Sequence, residues 1–264
     1  RYCTWVLARV MTLVASPVIP PYKPNKSLYG LGVEAVVRAG AAFLVIASNT
    51  GHIAVPLVRA RFPELPVLHI GDCTAAAIKA SGASNVGLLG TEPTMREGYL
   101  KEQLGKHGIA TLVPESEKDL TQIFQYIMDE LGFNVFKETT REFFVAQVRS
   151  LAARGAEGVI LGCTEIELLV KQSDVPEVPL YCSAELHIEA VARVQAGMDT
   201  VVQYMPREDV VSGCAAKLRG AHGEISVVAE QRAQQPRPGT GSQSDDDADN
   251  TDSDYGGEGG RHNV

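Results

Sequence analysis

From Ser27 to Thr200 the chain alternates helix-length amphipathic stretches with short apolar runs. VEAVVRAG reads as helix, FLVIAS as strand, IAVPLVRARF as helix, VLHI as strand, TAAAIKAS as helix and NVGLLG as strand. A helix through REGYLKEQLGKHG, a strand at ATLVPE and two further helices lead to the apolar run GVILGC. VRSLAARG and SAELHIEAVARVQAGMDTVVQYM carry the apolar spacing of helices that cover a sheet. Parallel strands need a crossover, and helices of this length supply it, so the pattern predicts an α/β fold with mainly parallel sheets flanked by helices.

Two of the strands open and close alike. GAAFLVIASNTGH, from Gly40 to His52, and GAEGVILGCTE, from Gly155 to Glu165, share a Gly-Ala start, an apolar run and a polar turn. Ser48 and Cys163 stand at the same offset from Gly40 and Gly155. A buried parallel strand delivers the side chain at its carboxyl end to the crevice where open α/β sheets bind ligands. The repeat predicts two pseudo-symmetric lobes, with Ser48 and Cys163 facing each other across the cleft between them. A reaction with two opposed acid–base groups needs that geometry.

Composition narrows the classes. At 45% apolar residues over 264 positions, with no run near the ~20 apolar residues of a membrane helix, the chain can bury a substantial core. Net charge is −8, with much of the excess in SDDDADNTDSDYGGEGG near the end, and nothing marks a basic nucleic-acid face. Five scattered cysteines without CxxC spacing predict reduced thiols and a cytoplasmic setting, and argue against a structural zinc. The six histidines (His52, His69, His107, His187, His222 and His262) show no metal spacing. RYCTWVLARVMTLVASP has Arg9 inside its apolar stretch, reads poorly as a signal peptide, and is expected to be an incomplete or aberrant end. The last stretch, poor in apolar residues, is expected to be disordered.

Gly30-Leu31-Gly32-Val33-Glu34-Ala35 matches a dinucleotide-binding glycine pattern, but a Pro-rich segment precedes it where a strand is required. Those glycines are read as loop and helix-entry residues. Cys163 in LGCTE admits two readings: a buried core thiol, or a thiolate stabilised by the start of the helix EIELLVK. Likewise Ser48, Asn49 and Thr50 are either helix caps or a cradle for a carboxylate. The repeated register favours the functional reading of both turns.

ASNTGH, LGCTEIELL and the intervening LHIGDCTAAAIKASGASNVGLLGTEPTMREGYLKEQLGKHGI resemble the aspartate/glutamate racemase superfamily, over roughly residues 16–200. GCTE is most similar to the aspartate-racemase branch. The resemblance implies two α/β lobes, homodimers, and racemisation of a small dicarboxylic amino acid, aspartate or glutamate, with neither pyridoxal phosphate nor metal. It implies that residues 1–69 and 183–205 form the first lobe, with an incomplete N-terminus, and that 70–182 form the second, ahead of an acidic tail at 206–264. By the same resemblance Cys163 and Ser48 are the opposed proton-transfer groups. Asn49, Thr50, Thr94 and Thr164 hold substrate, and His52 and Glu165 orient or tune the site.

Three features depart from the family pattern. Ser48 stands where the family has a second cysteine, which predicts strongly asymmetric activity, since a hydroxyl is a far weaker acid than a thiol of pKa about 8.5. Cys182, in YCSAELH, stands where an Asp is common. The family's opening strand and its glycine-rich loop are not recognisable. A single-cysteine decarboxylase or isomerase of the same fold, and an inactive homologue that binds carboxylates or a partner, remain open alternatives.

Overall fold

The structure is a computed structural model and describes residues 26–209. Both chain ends, with Cys3, Cys214 and the acidic tail, lie outside the described residues.

In chain order the elements are α1 (Lys26–Arg38), β1 (Leu44–Val45), a 3₁₀ turn (Thr50–Ala54), α2 (Val55–Arg61), β2 (Val67–Leu68), α3 (Ile70–Ser81) and β3 (Asn85–Gly90). There follow α4 (Glu92–Arg96), α5 (Gly98–Lys106), β4 (Ala110–Leu112), α6 (Glu117–Asp129) and α7 (Glu138–Ala153). β5 (Val159–Gly162), α8 (Thr164–Leu169), β6 (Leu180–Cys182), α9 (Ser183–Gln195), α10 (Val201–Tyr204) and α11 (Arg207–Asp209) complete the described chain. The predicted α/β alternation is present, and every strand pairing among the described residues is parallel.

One sheet pairs β1 with β2; the other has the order β4-β3-β5-β6. In the larger sheet the chain winds outward from β3 to β4, returns to the centre, and winds the other way from β5 to β6. The reversal falls between β3 and β5, and an open α/β sheet offers its ligand crevice beyond the carboxyl ends of the strands at such a point. β3 and β5 are buried along nearly their whole length, as strands covered by helices on both faces must be.

Apolar packing explains which helices cover which strands. Leu120, Ile123 and Ile127 of α6 and Phe144, Val148 and Leu151 of α7 bury against Leu89, Val159 and Leu161 on one face of the larger sheet. Ile78 of α3 and Leu100 and Leu104 of α5 cover Val86, Leu88 and Ile160 on the other. Each such side chain, fully buried, contributes roughly 1.5–3 kcal/mol. Ala190, Val191 and Val194 of α9 join Phe43, Leu68 and Val201 in a separate cluster.

The structure corrects the reading of Gly30 and Gly32. They lie inside α1, not in a loop. Val33 and Val36 of that helix pack on Leu44, Val58 and Val67, and this burial outweighs the low helix propensity of glycine. The repeat noted in the sequence has a backbone counterpart. Gly40 and Gly155 have φ of 77° and 97°, a left-handed conformation in which each turns a helix end toward the strand that follows.

Candidate active site

The carboxyl ends of β3, β5 and β6 and the turn after β1 gather most of the polar residues singled out in the sequence. Cys163 follows β5 directly and is the N-cap residue of α8. It is buried, and its thiol donates to Glu165 Oε2 at 3.0 Å. Thr164 donates to the same oxygen at 2.6 Å. The expectation of a stabilised thiolate is corrected here. Burial, reinforced by the neighbouring Glu165 carboxylate, pushes the Cys163 thiol well above its ordinary range, and the short helix α8 does not offset this. The resting group is a neutral thiol held by an acceptor.

Thr50 begins the 3₁₀ turn, and its hydroxyl lies 2.8 Å from that of Thr91 and 3.3 Å from that of Thr94. Thr91 and Thr94 are 2.9 Å apart, and Thr94 is 3.0 Å from the Tyr99 hydroxyl. This hydroxyl cluster joins the turn after β1 to the turn after β3. Gly90 and Gly162 make room for it, being paired across β3 and β5. A Cβ at Gly90 would come within 2.9 Å of both the Gly162 carbonyl oxygen and Thr94 Cγ2. Thr94 therefore sits over the strand ends that present Cys163.

Asn49 and Ser48 take up positions the sequence left open. Asn49 is buried and turned away from its own turn: its Nδ2 donates to Ser183 Oγ at 2.9 Å, while its Oδ1 is buried without a hydrogen-bond partner. Ser48 Oγ accepts from the Gly51 N–H at 3.1 Å, so the capping reading holds for this side chain whatever else it does. Cys163 follows β5 directly and Ser48 lies three residues past β1, and Ser183 links the two segments, bonding Asn49 on one side and the Leu161 carbonyl of β5 on the other.

His52 is fully buried and works as a brace. It accepts from the Ile70 N–H through Nε2 at 3.1 Å, which places its proton on Nδ1, where it donates to the Ser48 carbonyl at 2.7 Å. Its ring centroid lies 4.3 Å from that of His69, the planes tilted by 58°, and 5.9 Å from that of His187, edge-on. Burial first, and His187 second, lower His52 to about 3, which leaves it neutral near neutral pH. It shapes the Ser48 turn from behind.

Sequence reasoning missed Glu167, Thr91 and Tyr99, and noticed Ser183 only as the neighbour of Cys182. Glu167 Oε1 accepts from the Ala184 N–H at 2.8 Å and lies 3.3 Å from Ser183 Oγ. Ser183 also donates to the Leu161 carbonyl at 2.8 Å. Glu167 and Ser183 meet only when α8 and α9 pack, so no local spacing announces them. Among the described residues no group of three or more His, Cys, Asp or Glu side chains could hold a metal ion. No described helix is long and apolar enough to cross a membrane.

Residues 24–191 match the family model described as Asp/Glu/Hydantoin racemase. The chain belongs to that family. Within the family, a candidate Asp/Glu racemase from Yersinia pestis superposes with a TM-score of 0.60 at 35% identity, covering 65% of this chain and 74% of that one. An aspartate racemase homologue from Pyrococcus horikoshii OT3 superposes with a TM-score of 0.57 at 32% identity over the same shares, which fits the aspartate branch. A glutamate racemase of Ectopseudomonas mendocina is 28% identical over 138 residues, 52% of this chain and 50% of its own. The chain thus spans about half the length of that relative. The racemase-family region holds Ser48, Asn49, Thr50, Thr94, Cys163 and Glu167 together.

Proposed function

We propose that this chain is an amino-acid racemase that transfers the α-proton of aspartate or glutamate through Cys163. The observation that carries the reading is the contact between the Cys163 thiol and Glu165, at the strand-end position that Ser48 occupies in the other copy of the repeat. In this mechanism Glu165 takes the thiol proton as substrate enters, and the resulting thiolate removes the α-proton from one face. The developing negative charge on the substrate carboxylate is met by hydroxyl donors from Thr50, Thr94 and Thr164. The buried, unpartnered Asn49 Oδ1 accepts from the substrate ammonium, which satisfies both groups. On the opposite face Ser48 is the proton donor, and a hydroxyl returns a proton far more slowly than a thiol.

The test is proton NMR of α-hydrogen loss in D₂O, with L- and D-aspartate and L- and D-glutamate offered separately. Exchange is expected to be faster for one enantiomer and to fall at least about 100-fold in Cys163→Ala. Undiminished exchange in that variant overturns the assignment of the base, and a folded protein that exchanges none of the four overturns the activity. A second reading draws on the same serine. With one thiol, proton delivery to a single face suffices for a substrate that makes its own carbanion, such as a malonate losing carbon dioxide, and a malonate panel in the same assay separates the two.

A further inference from the structure

The amino terminus of α9 lies against the site, and its own N-cap residue, Cys182, makes no side-chain capping hydrogen bond. The first turn of a helix leaves N–H groups that need acceptors, and a thiol is a poor one. Glu167 reaches across from α8 to supply it, accepting from the Ala184 N–H at 2.8 Å. The same oxygen is 3.3 Å from Ser183 Oγ, and Ser183 in turn accepts from Asn49 Nδ2 at 2.9 Å. The chain of contacts runs from a half-buried carboxylate to the buried Asn49 amide, whose oxygen is left without a partner.

We propose that Glu167 is the positioning residue of this site: its carboxylate fills the α9 cap that Cys182 leaves empty and, through Ser183, holds Asn49 oriented toward the bound amino acid. The inference rests on the racemase reading for its ligand, but its geometry is a property of the unliganded fold. The charged form of Glu167 is the form that acts. An anion draws the Ser183 hydroxyl hydrogen away from the Leu161 carbonyl, and a serine that donates to an anion is a better acceptor for the Asn49 amide. A protonated Glu167 releases that hydrogen to Leu161 and loosens the link.

Its surroundings put this ionisation near neutrality. Burial raises Glu167 to about 7, against the lowering influence of the Ala184 N–H, the Ser183 hydroxyl and the Glu185 N–H. The Glu185 carboxylate on α9 adds to the rise. Cys182, beside it at the end of β6, is pushed up to about 11 and stays neutral through this range. Lys171, past the end of α8, is turned to the Glu167 carbonyl at 2.6 Å and leaves the carboxylate unpaired. A carboxyl that titrates at about 7 rather than 4.5 is mostly charged at pH 8 and mostly neutral at pH 6.

The experiment has two arms. In the unliganded protein the Asn49 side-chain amide resonance, assigned by its loss in Asn49→Asp, is followed from pH 5.5 to 8.5 in native protein and in Glu167→Gln. A shift with a midpoint near 7 that vanishes in the variant is expected; an Asn49 signal that does not titrate, or titrates equally in both, overturns the proposal. In the second arm α-proton exchange is measured in Glu167→Ala with and without Cys182→Asp, since an Asp at the N-cap accepts from the same first-turn N–H groups. Glu167→Ala is expected to raise KM about tenfold with kcat changed less than about threefold, and to flatten the fall of KM between pH 6 and 8. Cys182→Asp in that background is expected to recover thermal stability while KM stays raised, because the Asp fills the cap without restoring the contact to Ser183; recovery of KM by the cap alone overturns the positioning role. A loss confined to kcat or to thermal stability, with KM and its pH profile unmoved, reduces Glu167 to a structural cap and overturns the positioning role. If the native protein exchanges no substrate while the Asn49 resonance titrates as expected, the activity fails and the Glu167 link stands.

Discussion

At the scale of single residues, the proposed mechanism turns on the asymmetry between Ser48 and Cys163. Both occupy the same place in a repeated unit, yet one is a hydroxyl that caps a turn and the other a buried thiol with a carboxylate acceptor. In the proposed mechanism the thiol face is competent and the serine face limits inversion. Ser48→Cys is therefore expected to raise the rate of inversion at least about tenfold, with α-proton exchange on the Cys163 face changed little, because it brings an acid of pKa about 8.5 to that position. Polarimetry and D₂O exchange on the same variant check this; an unchanged ratio of inversion to exchange would place the limiting step elsewhere. The repeat made both positions legible in the sequence. What the spacing could not show is the protonation of Cys163, because burial by α8 and the carboxylate of Glu165 set it.

At the scale of elements, polar ties set the angles at which helices meet the site. Asp72, in the first turn of α3, is buried and accepts from Gln103 Nε2 at 2.6 Å and from His107 Nε2 at 2.8 Å, which fastens α3 to α5. Asp72→Ala leaves the buried Gln103 amide and the partly buried His107 ring without an acceptor and is expected to cost about 2–4 kcal/mol in a urea melt. Asp72→Asn, which keeps an acceptor oxygen, is expected to cost clearly less; equal losses would mean that the charge, not the pairing, holds the helices. α3 also presents Ile70, whose N–H bonds His52, so this tie bears on the Ser48 turn. Helix and strand identities were readable from periodicity here, since Ile78, Leu100 and Leu104 fall on one face of their helices. The Asp72 contacts were not, because Gln103 and His107 lie more than thirty residues away along the chain.

At the scale of the whole molecule, three histidines from separate segments close together behind the site. Burial lowers His52 to about 3, His187 to about 4, and His69 well below the ordinary value near 6.5. A histidine lowered in the folded state stays neutral there while the unfolded chain takes up a proton, so stability is full above pH 6.5 and falls as pH drops below it. Each contributes up to about 1.4 kcal/mol per pH unit in that window. Glu167 and Asp72, both raised by burial, work in the opposite sense as the folded state binds their protons first. The three histidines share one window below pH 6.5, and the urea midpoint is expected to fall between pH 7 and pH 5. A flat profile would show that the folded protein admits charged histidines at this junction.

The order of apolar and polar positions determined the α/β class, the parallel strands and the two strand-end turns, because periodicity and the Gly-to-Ser and Gly-to-Cys spacing are properties of neighbouring residues. It misread Gly30 and Gly32, since whether a glycine lies in helix or loop depends on what the helix packs against. Tertiary structure alone decided that Glu167 meets α9, that Asn49 turns to Ser183 with one oxygen left over, and that Cys163 rests as a thiol. Those outcomes depend on burial and on contacts between segments as far apart as Asn49 and Ser183, 134 positions along the chain. A local pattern carries no record of such distances, and the cost of burying a charge or a donor exists only once the fold has closed around it.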